Sequence, residues 1–105
     1  MISSRPVSYA VTATLPNETM VGEYVAWLTG GHIQQVISGG AIRAEVVRIT
    51  DPTSPLRVQA RYVFPDRTAL DRYVTQFAPA LRAEGVAKWG DRVTFVREVG
   101  DIVGG

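Results

Sequence analysis

Residues 41–64 read AIRAEVVRITDPTSPLRVQARYVF. Two β-rich runs, 41–50 and 56–64, flank five residues whose prolines fix φ and whose Asp and Ser side chains bond to nearby backbone, as in a turn. Pairing the runs across this loop sets Glu45 opposite Arg61 and places most apolar side chains on one face. A shift of one residue would exchange the two faces. The stretch therefore predicts a β-hairpin with a defined register.

Two further strands are predicted outside the hairpin. Residues 7–15 alternate between the two faces, with Val, Tyr, Val, Ala and Leu on one of them. Period two with β-branched and aromatic residues is typical of a strand. Residues 92–99 carry the same kind of alternation, which predicts the last strand.

Two helical regions separate these strands. Residues 18–28 have apolar side chains at helical spacing after Asn17, a favourable N-cap. A short helical turn at 32–38 follows Gly30-Gly31. The second region begins after Asp66 and runs to about residue 88, and Pro79 predicts a kink or restart within it.

The order of these elements is β-α-β-β-α-β. It predicts an α+β, ferredoxin-like fold, in which two helices cover one face of a four-stranded antiparallel sheet. The chain has 105 residues, which is the size of one domain. We expect a single domain over 1–105, with a core at 7–99 and a flexible tail at 100–105.

Composition excludes several classes of function. The chain has no cysteine, so it has no disulfide, thiolate zinc site, iron–sulfur cluster or cysteine nucleophile. A formal net charge of +1 argues against nucleic-acid binding. No apolar run is long enough to span a membrane. We expect a cytoplasmic protein without a cofactor or a protein metal site.

The sheet face that the helices leave open is mixed. Valine and isoleucine alternate there with charged and polar residues, including Glu45 and Arg61. A second sheet packed against this face would enclose a semi-polar space, which predicts a homodimeric α/β barrel. Arg61 could hold an anionic ligand in that space, with Glu45 beside it. The other interpretation is a plain cross-strand ion pair.

One motif resembles a family of uncharacterised small bacterial proteins that carry a domain of unknown function. The motif is WLTGGHI at residues 27–33 followed by GGAI at 39–42. In that family a helix ends in tryptophan, His-Ile-Pro follows, and a glycine precedes a strand. The resemblance covers residues 8–98. It departs at Gln34, where the family has proline, and at Ala41-Ile42, where an aromatic residue is common.

The second half of the chain also fits this family, at Tyr62 to Phe64, at FAPALR over residues 77–82, and at Trp89. The resemblance implies a dimeric α/β barrel of the ferredoxin-like superfamily. Related barrels include haem-binding enzymes and cofactor-free monooxygenases. The family name itself implies no activity.

Trp27 and His32 are the remaining candidate site residues. His32 is the only histidine, and its ordinary pKa near neutrality suits a general base. It could also ligate haem, or it could simply anchor the second short helix. Trp27 could line a ligand cavity or pack in the core.

Three hypotheses follow. The first is a homodimer that binds a small molecule or acts structurally. The second is a small enzyme of the oxygenase or lyase kind, cofactor-free or haem-dependent, that uses His32. The third is a protein-interaction module that uses the apolar pair Ile102-Val103 in the tail.

Overall fold

The four strands form one antiparallel sheet in the order β2-β3-β1-β4. The structure is a computed structural model and describes residues 5–105. The strands are β1 (Val7–Leu15), β2 (Arg43–Ile49), β3 (Leu56–Phe64) and β4 (Thr94–Asp101). This order confirms the predicted ferredoxin-like α+β fold.

The register of the hairpin is the predicted one. Glu45 lies opposite Arg61, and Val47 lies opposite Gln59. β2 is shorter at both ends than the predicted run 41–50, since it spans Arg43–Ile49. Ile42 is 63% exposed, because the chain is still turning there as it leaves the preceding helix.

Each predicted helix consists of two segments. The segments are α1 (Glu18–Trp27), α2 (Ile33–Ser38), α3 (Arg67–Gln76) and α4 (Ala78–Trp89). A kinked turn, Leu28–His32, joins α1 to α2, and Gly31 within it has a non-helical backbone conformation. Pro79 lies in the first turn of α4, directly after the break at Phe77, which confirms the predicted restart.

Side-chain caps begin α1 and α3, as the sequence predicts. Oδ1 of Asn17 accepts a hydrogen bond from the Met20 amide at 2.9 Å. Oδ1 of Asp66 accepts one from the Ala69 amide at 2.8 Å. Each carboxamide or carboxylate oxygen satisfies an amide that the helix itself leaves unpaired.

The core lies between the helices and one face of the sheet. Its largest fully buried side chains include Tyr24, Tyr62, Phe64, Leu28 and Leu70. The helices α1 and α3 pack on the central strands, and α2 packs on β2. Within residues 5–105, no helix covers the opposite face, which carries the polar half of the strand alternation.

The last strand runs further than predicted. β4 ends at Asp101, which pairs with Val7, so two residues placed in the tail belong to the sheet. The Ile102 amide then donates to the Pro6 carbonyl at 3.0 Å. Within residues 5–105, no helix has the length and apolar character needed to cross a bilayer.

Candidate functional site: a tyrosine-lined cavity

A cavity of about 210 Å³ lies between the sheet and the helices. All four tyrosines of the chain line it, and each comes from a different element. They are Tyr9 on β1, Tyr24 on α1, Tyr62 on β3 and Tyr73 on α3. The cavity is therefore built by the whole fold and not by a single loop.

The tyrosine rings form a connected cluster. The ring centroids of Tyr9 and Tyr62 are 6.0 Å apart, and those of Tyr9 and Tyr73 are 5.9 Å apart. These separations lie in the range that favours aromatic pairing. The cluster gives the cavity a wall of ring faces with hydroxyl groups at their ends.

Burial raises the pKa values of Tyr24, Tyr62 and Tyr73 further above neutrality. It raises the pKa of Tyr24 to about 12, against a smaller lowering by Arg97. Burial also raises the pKa of Tyr73 to about 12. The pKa of Tyr62 is raised as well, first by burial and then by the neighbouring tyrosines. At neutral pH these phenols are hydrogen-bond donors.

Most of these hydroxyls have no protein partner. Tyr9 is the exception, because Nη2 of Arg82 donates to its oxygen at 3.4 Å. Among the residues that the structure describes, no group hydrogen-bonds to the hydroxyls of Tyr24, Tyr62 or Tyr73. None of these three oxygens is among the buried unpaired side-chain atoms of residues 5–105, so each keeps accessible surface where water or a ligand can pair with it.

The kinked turn Leu28–His32 places His32 on the cavity wall. Within this turn Gly31 has φ 150°, a backbone conformation that residues with a Cβ rarely adopt. The imidazole of His32 stacks on the Trp27 indole, with ring centroids 4.1 Å apart and an interplanar angle of 23°. Both side chains line the cavity.

His32 is half-buried and unpaired at one nitrogen. Its Nδ1 is buried and has no hydrogen-bond partner. Burial lowers the pKa of His32, and the Glu84 carboxylate raises it by less. The imidazole is therefore neutral at pH 7, and a neutral imidazole can accept a proton.

Two arginines complete the polar part of the lining. Arg82 reaches the cavity from α4 and Arg97 from β4. The guanidinium carbon of Arg97 lies 5.8 Å from the centre of the Phe95 ring. With Arg82 and Arg97, the cavity has cationic groups beside its apolar wall.

The structure divides the predicted site between the two faces of the sheet. Trp27 and His32 line the cavity together, under the helices. Glu45 and Arg61 lie on the opposite, open face, with Nη1 of Arg61 3.6 Å from Oε1 of Glu45. Both side chains are about half exposed, at 60% and 48%. The four residues therefore do not form one site.

The pair on the open face belongs to a polar ladder. Nε of Arg61 donates to Oε1 of Gln59, and Nε2 of Gln59 donates to Oγ1 of Thr12 at 3.0 Å. This ladder connects Glu45, Arg61, Gln59 and Thr12 across three strands. It matches the cross-strand ion pair that the sequence left open as an alternative.

The sequence patterns did not single out the tyrosines or Arg97 as site residues. Two features of the sequence could have indicated them. Tyrosine at four inward positions brings four hydroxyls into an apolar layer, where each needs a partner. Arg97 lies between Phe95 and Val99 on the inward side of its strand, where a charged side chain is unusual.

The cavity does not suit the metal-dependent alternatives. Among residues 5–105, no three His, Asp or Glu side chains come close enough to share a metal ion. Haem is the cofactor that the resemblance raises for His32. A volume of about 210 Å³ suits one substituted ring, whereas a tetrapyrrole is several times larger. The residues present do not fit haem.

Solved structures with the same fold include proteins of several kinds. A dimeric ferredoxin-like protein from an uncultured marine organism has a TM-score of 0.81 at 13% identity, covering 96% of this chain and 98% of its own. SnoaB, a cofactor-independent oxygenase from Streptomyces nogalater, has a TM-score of 0.70 at 15% identity, covering 97% of both chains.

A DABB family protein with a ferredoxin-like fold from Mesorhizobium loti has a TM-score of 0.68 at 19% identity, covering 95% of this chain and 99% of its own. At such identities the likeness shows the fold alone. No curated protein matches the chain.

The family assignment comes from the sequence. The model of a domain of unknown function, DUF4286, matches residues 7–102. This span includes the WLTGGHI motif, the hairpin and the last strand, which confirms the resemblance to a family of unknown function. Because the match covers most of the chain, the protein belongs to the DUF4286 family.

Proposed function

We propose that this protein binds a small molecule, the size of one substituted ring, in the cavity between its sheet and its helices. The observation that carries the proposal is the partly enclosed, tyrosine-lined space, whose hydroxyl groups of Tyr24, Tyr62 and Tyr73 have no partner among residues 5–105. The location differs from the one expected from sequence, which was the space between the sheets of two copies.

The volume limits the ligand. A dry cavity of about 150 Å³ holds benzene, and drug-sized ligands occupy pockets of about 300–1,000 Å³. The cavity here has about 210 Å³. It therefore suits one ring with one or two substituents.

The wall chemistry limits the ligand further. The faces of Trp27 and the tyrosines favour a flat, apolar body. The protonated hydroxyls of Tyr24, Tyr62 and Tyr73 favour oxygen atoms on that body, because each hydroxyl can donate a hydrogen bond to them. A substituted arene with an oxygen substituent meets both demands.

A cavity-filling variant tests the proposal. A Cβ at Gly85 would lie 3.7 Å from Cη2 of Trp27, so a Gly85→Leu side chain enters the cavity. Replacing glycine in a helix also favours folding by up to about 1 kcal/mol. We expect ligand-detected NMR to show saturable binding of benzyl alcohol, benzamide or benzoate to the native protein and at least about tenfold weaker binding to the variant.

Gly22→Leu is the matched control. Gly22 is exposed on α1, and a Cβ there would meet nothing within 4 Å. This variant should bind as the native protein does. Absence of binding to all three compounds, or equal binding by Gly85→Leu, would contradict the proposal.

A second candidate function is cofactor-independent catalysis with His32 as the base. The observation that favours it is the neutral imidazole on the cavity wall with an unpaired Nδ1. A cofactor-independent oxygenase among the solved structures of this fold supports it. Oxygen uptake with a hydroquinone as substrate should then require His32 and disappear in His32→Gln. Uptake that is unchanged in this variant would exclude His32 as the base.

We further propose that a second copy of the chain covers the open face. The face mixes apolar residues with charges of both signs, such as Glu45 and Arg61, which suits a self-complementary contact. The dimeric ferredoxin-like protein of the same fold supports this assembly. The cytoplasmic location and the absence of nucleic-acid partners stay predictions from the sequence.

A further inference from the structure

Two guanidinium groups reach the same cavity from different elements. Arg82 is on α4 and Arg97 is on β4, and both line the cavity. Both residues are exposed, so they stand where the cavity meets solvent. Val86, also in the lining and 64% exposed, lies one helical turn from Arg82 and marks the same opening.

The position of Arg97 is unusual for the fold. It lies opposite Val11, on the inward side of β4, in line with Phe95. The inward positions of the neighbouring strand β1, from Val7 to Leu15, are apolar or tyrosine. Arg97 is exposed, so its charge lies at the rim of the cavity and not in the core.

Neither guanidinium has a carboxylate partner. In the part of the chain that the structure describes, the ion pairs involve Arg48, Arg61 and Arg67. The polar contact of Arg82 is with the neutral Tyr9 hydroxyl. The residues that line the cavity include no Asp or Glu. The side chains that line the cavity therefore carry positive charge, and the nearby Glu84 carboxylate acts on His32 from outside the lining.

The field of both arginines reaches the inside of the cavity. Burial and Tyr9 raise the pKa of the Tyr73 hydroxyl, and Arg82 and Arg97 both lower it. The two cations thus act on one point of the inner wall. An oxygen anion bound near this point would be attracted by both.

From this arrangement we infer that the ligand is a single-ring carboxylate, with its ring against the tyrosines and its carboxylate between Arg82 and Arg97. The inference rests on the proposed binding function and specifies its ligand class. A guanidinium matches the geometry of a carboxylate with two parallel N–H donors. Charge-assisted hydrogen bonds in a partly enclosed site are stronger than neutral ones.

Benzoate and benzamide test the inference because they have nearly the same shape and differ in charge. We expect the native protein to bind benzoate about tenfold more tightly than benzamide, as measured by isothermal titration calorimetry. Arg82→Gln and Arg97→Gln should each reduce this preference severalfold, and the double variant should abolish it. Benzamide binding should weaken less than benzoate binding in all three, because a neutral carbonyl loses a hydrogen bond but no ionic attraction.

Arg72→Gln is the matched control, since Arg72 is exposed on α3 and does not line the cavity. It removes the same charge and should keep the preference for benzoate. Thermal unfolding of each variant shows that the fold is retained, which is expected for exposed side chains.

The outcomes separate the inference from the proposed function. Equal binding of benzoate and benzamide, or a preference that survives in the double variant, overturns the inference and leaves the binding function standing. Parallel loss of both compounds in the arginine variants also overturns it, because the arginines would then support the cavity and not the anion. If neither compound binds the native protein, both the inference and the proposed binding function are contradicted.

Discussion

His32 combines two features that are seldom found together in a side chain that only packs in a hydrophobic core. It stacks on Trp27, which fixes the plane of the imidazole. Its Nδ1 is nevertheless buried without a partner, which costs free energy unless a ligand or water satisfies it. Stacking gives the imidazole ring a defined orientation, and the unpaired nitrogen is free to form a hydrogen bond with a bound molecule.

The burial of His32 predicts a pH dependence of stability. Burial lowers the pKa of the folded imidazole, whereas histidine in an unfolded chain has a pKa of about 6.5. As the pH falls through about 6.5, the unfolded chain binds a proton that the folded protein does not bind. The free energy of unfolding therefore falls in this range and levels off below the folded pKa.

Urea unfolding from about pH 7.5 to about pH 5 measures this effect. His32→Gln removes the only histidine and leaves every carboxylate in place. The free energy of unfolding should therefore fall less steeply with decreasing pH in the variant than in the native protein. Parallel curves for the two proteins would show that the imidazole titrates alike in both states.

The sequence indicated only part of the site at this scale. Trp27 and His32 were identifiable because a lone histidine near an indole is conspicuous in sequence. Glu45 and Arg61 were correctly paired, yet alternation cannot tell which face of a sheet holds a cavity. That depends on how far α4 lies from β4, a tertiary spacing that no local pattern encodes.

The kinked turn Leu28–His32 is the element that positions the candidate base. Its backbone leaves helical geometry at Gly31, which separates α1 from α2. Here the turn connects α1 to α2 and contains Gly31, with φ 150°. The sequence showed a break at the two glycines, but which glycine would take the unusual conformation depends on where α2 must dock.

We predict opposite effects on the free energy of unfolding for alanine substitutions at the two glycines in this turn. Gly31→Ala forces a Cβ into a conformation that L-residues avoid, which should lower the free energy of unfolding by about 1–2 kcal/mol. Gly30 has no positive φ, and a Cβ there would meet nothing within 4 Å. Gly30→Ala should therefore be neutral or stabilising by up to about 1 kcal/mol.

Urea unfolding compares the two variants directly. They add the same methyl group to adjacent residues, so a difference in stability reports the backbone conformation. Near-equal stabilities would contradict the turn geometry described for Gly31. Near-ultraviolet circular dichroism of Gly31→Ala should also change, because the stacked Trp27 and His32 rings depend on this turn.

At the scale of the whole molecule, the two faces of the sheet have different chemistry. The inner face supplies tyrosines to an enclosed cavity, and the outer face carries the polar ladder with half-buried residues such as Val63. Strand alternation predicted this division, and the hairpin register followed from it. A single chain does not itself contain the partner that would cover the outer face.

A second copy on the outer face predicts a dimer in solution. Val63 projects onto this face near the end of the central strand β3, so Val63→Lys adds a charge to the face without entering the core. One such lysine in each copy adds like charge and removes apolar burial at the contact, and both changes oppose association. Sedimentation velocity at tens of micromolar should show a dimer for the native protein and a monomer for this variant.

Val103→Lys is the control, because Val103 is 81% exposed and lies beyond the end of β4. It should remain a dimer if the sheet face makes the contact. A dimer that dissociates with Val103→Lys and survives Val63→Lys would assign the contact to the apolar tail, in line with an interaction module. A monomeric native protein would contradict both arrangements, because the mixed outer face would then stand in solvent without a cover.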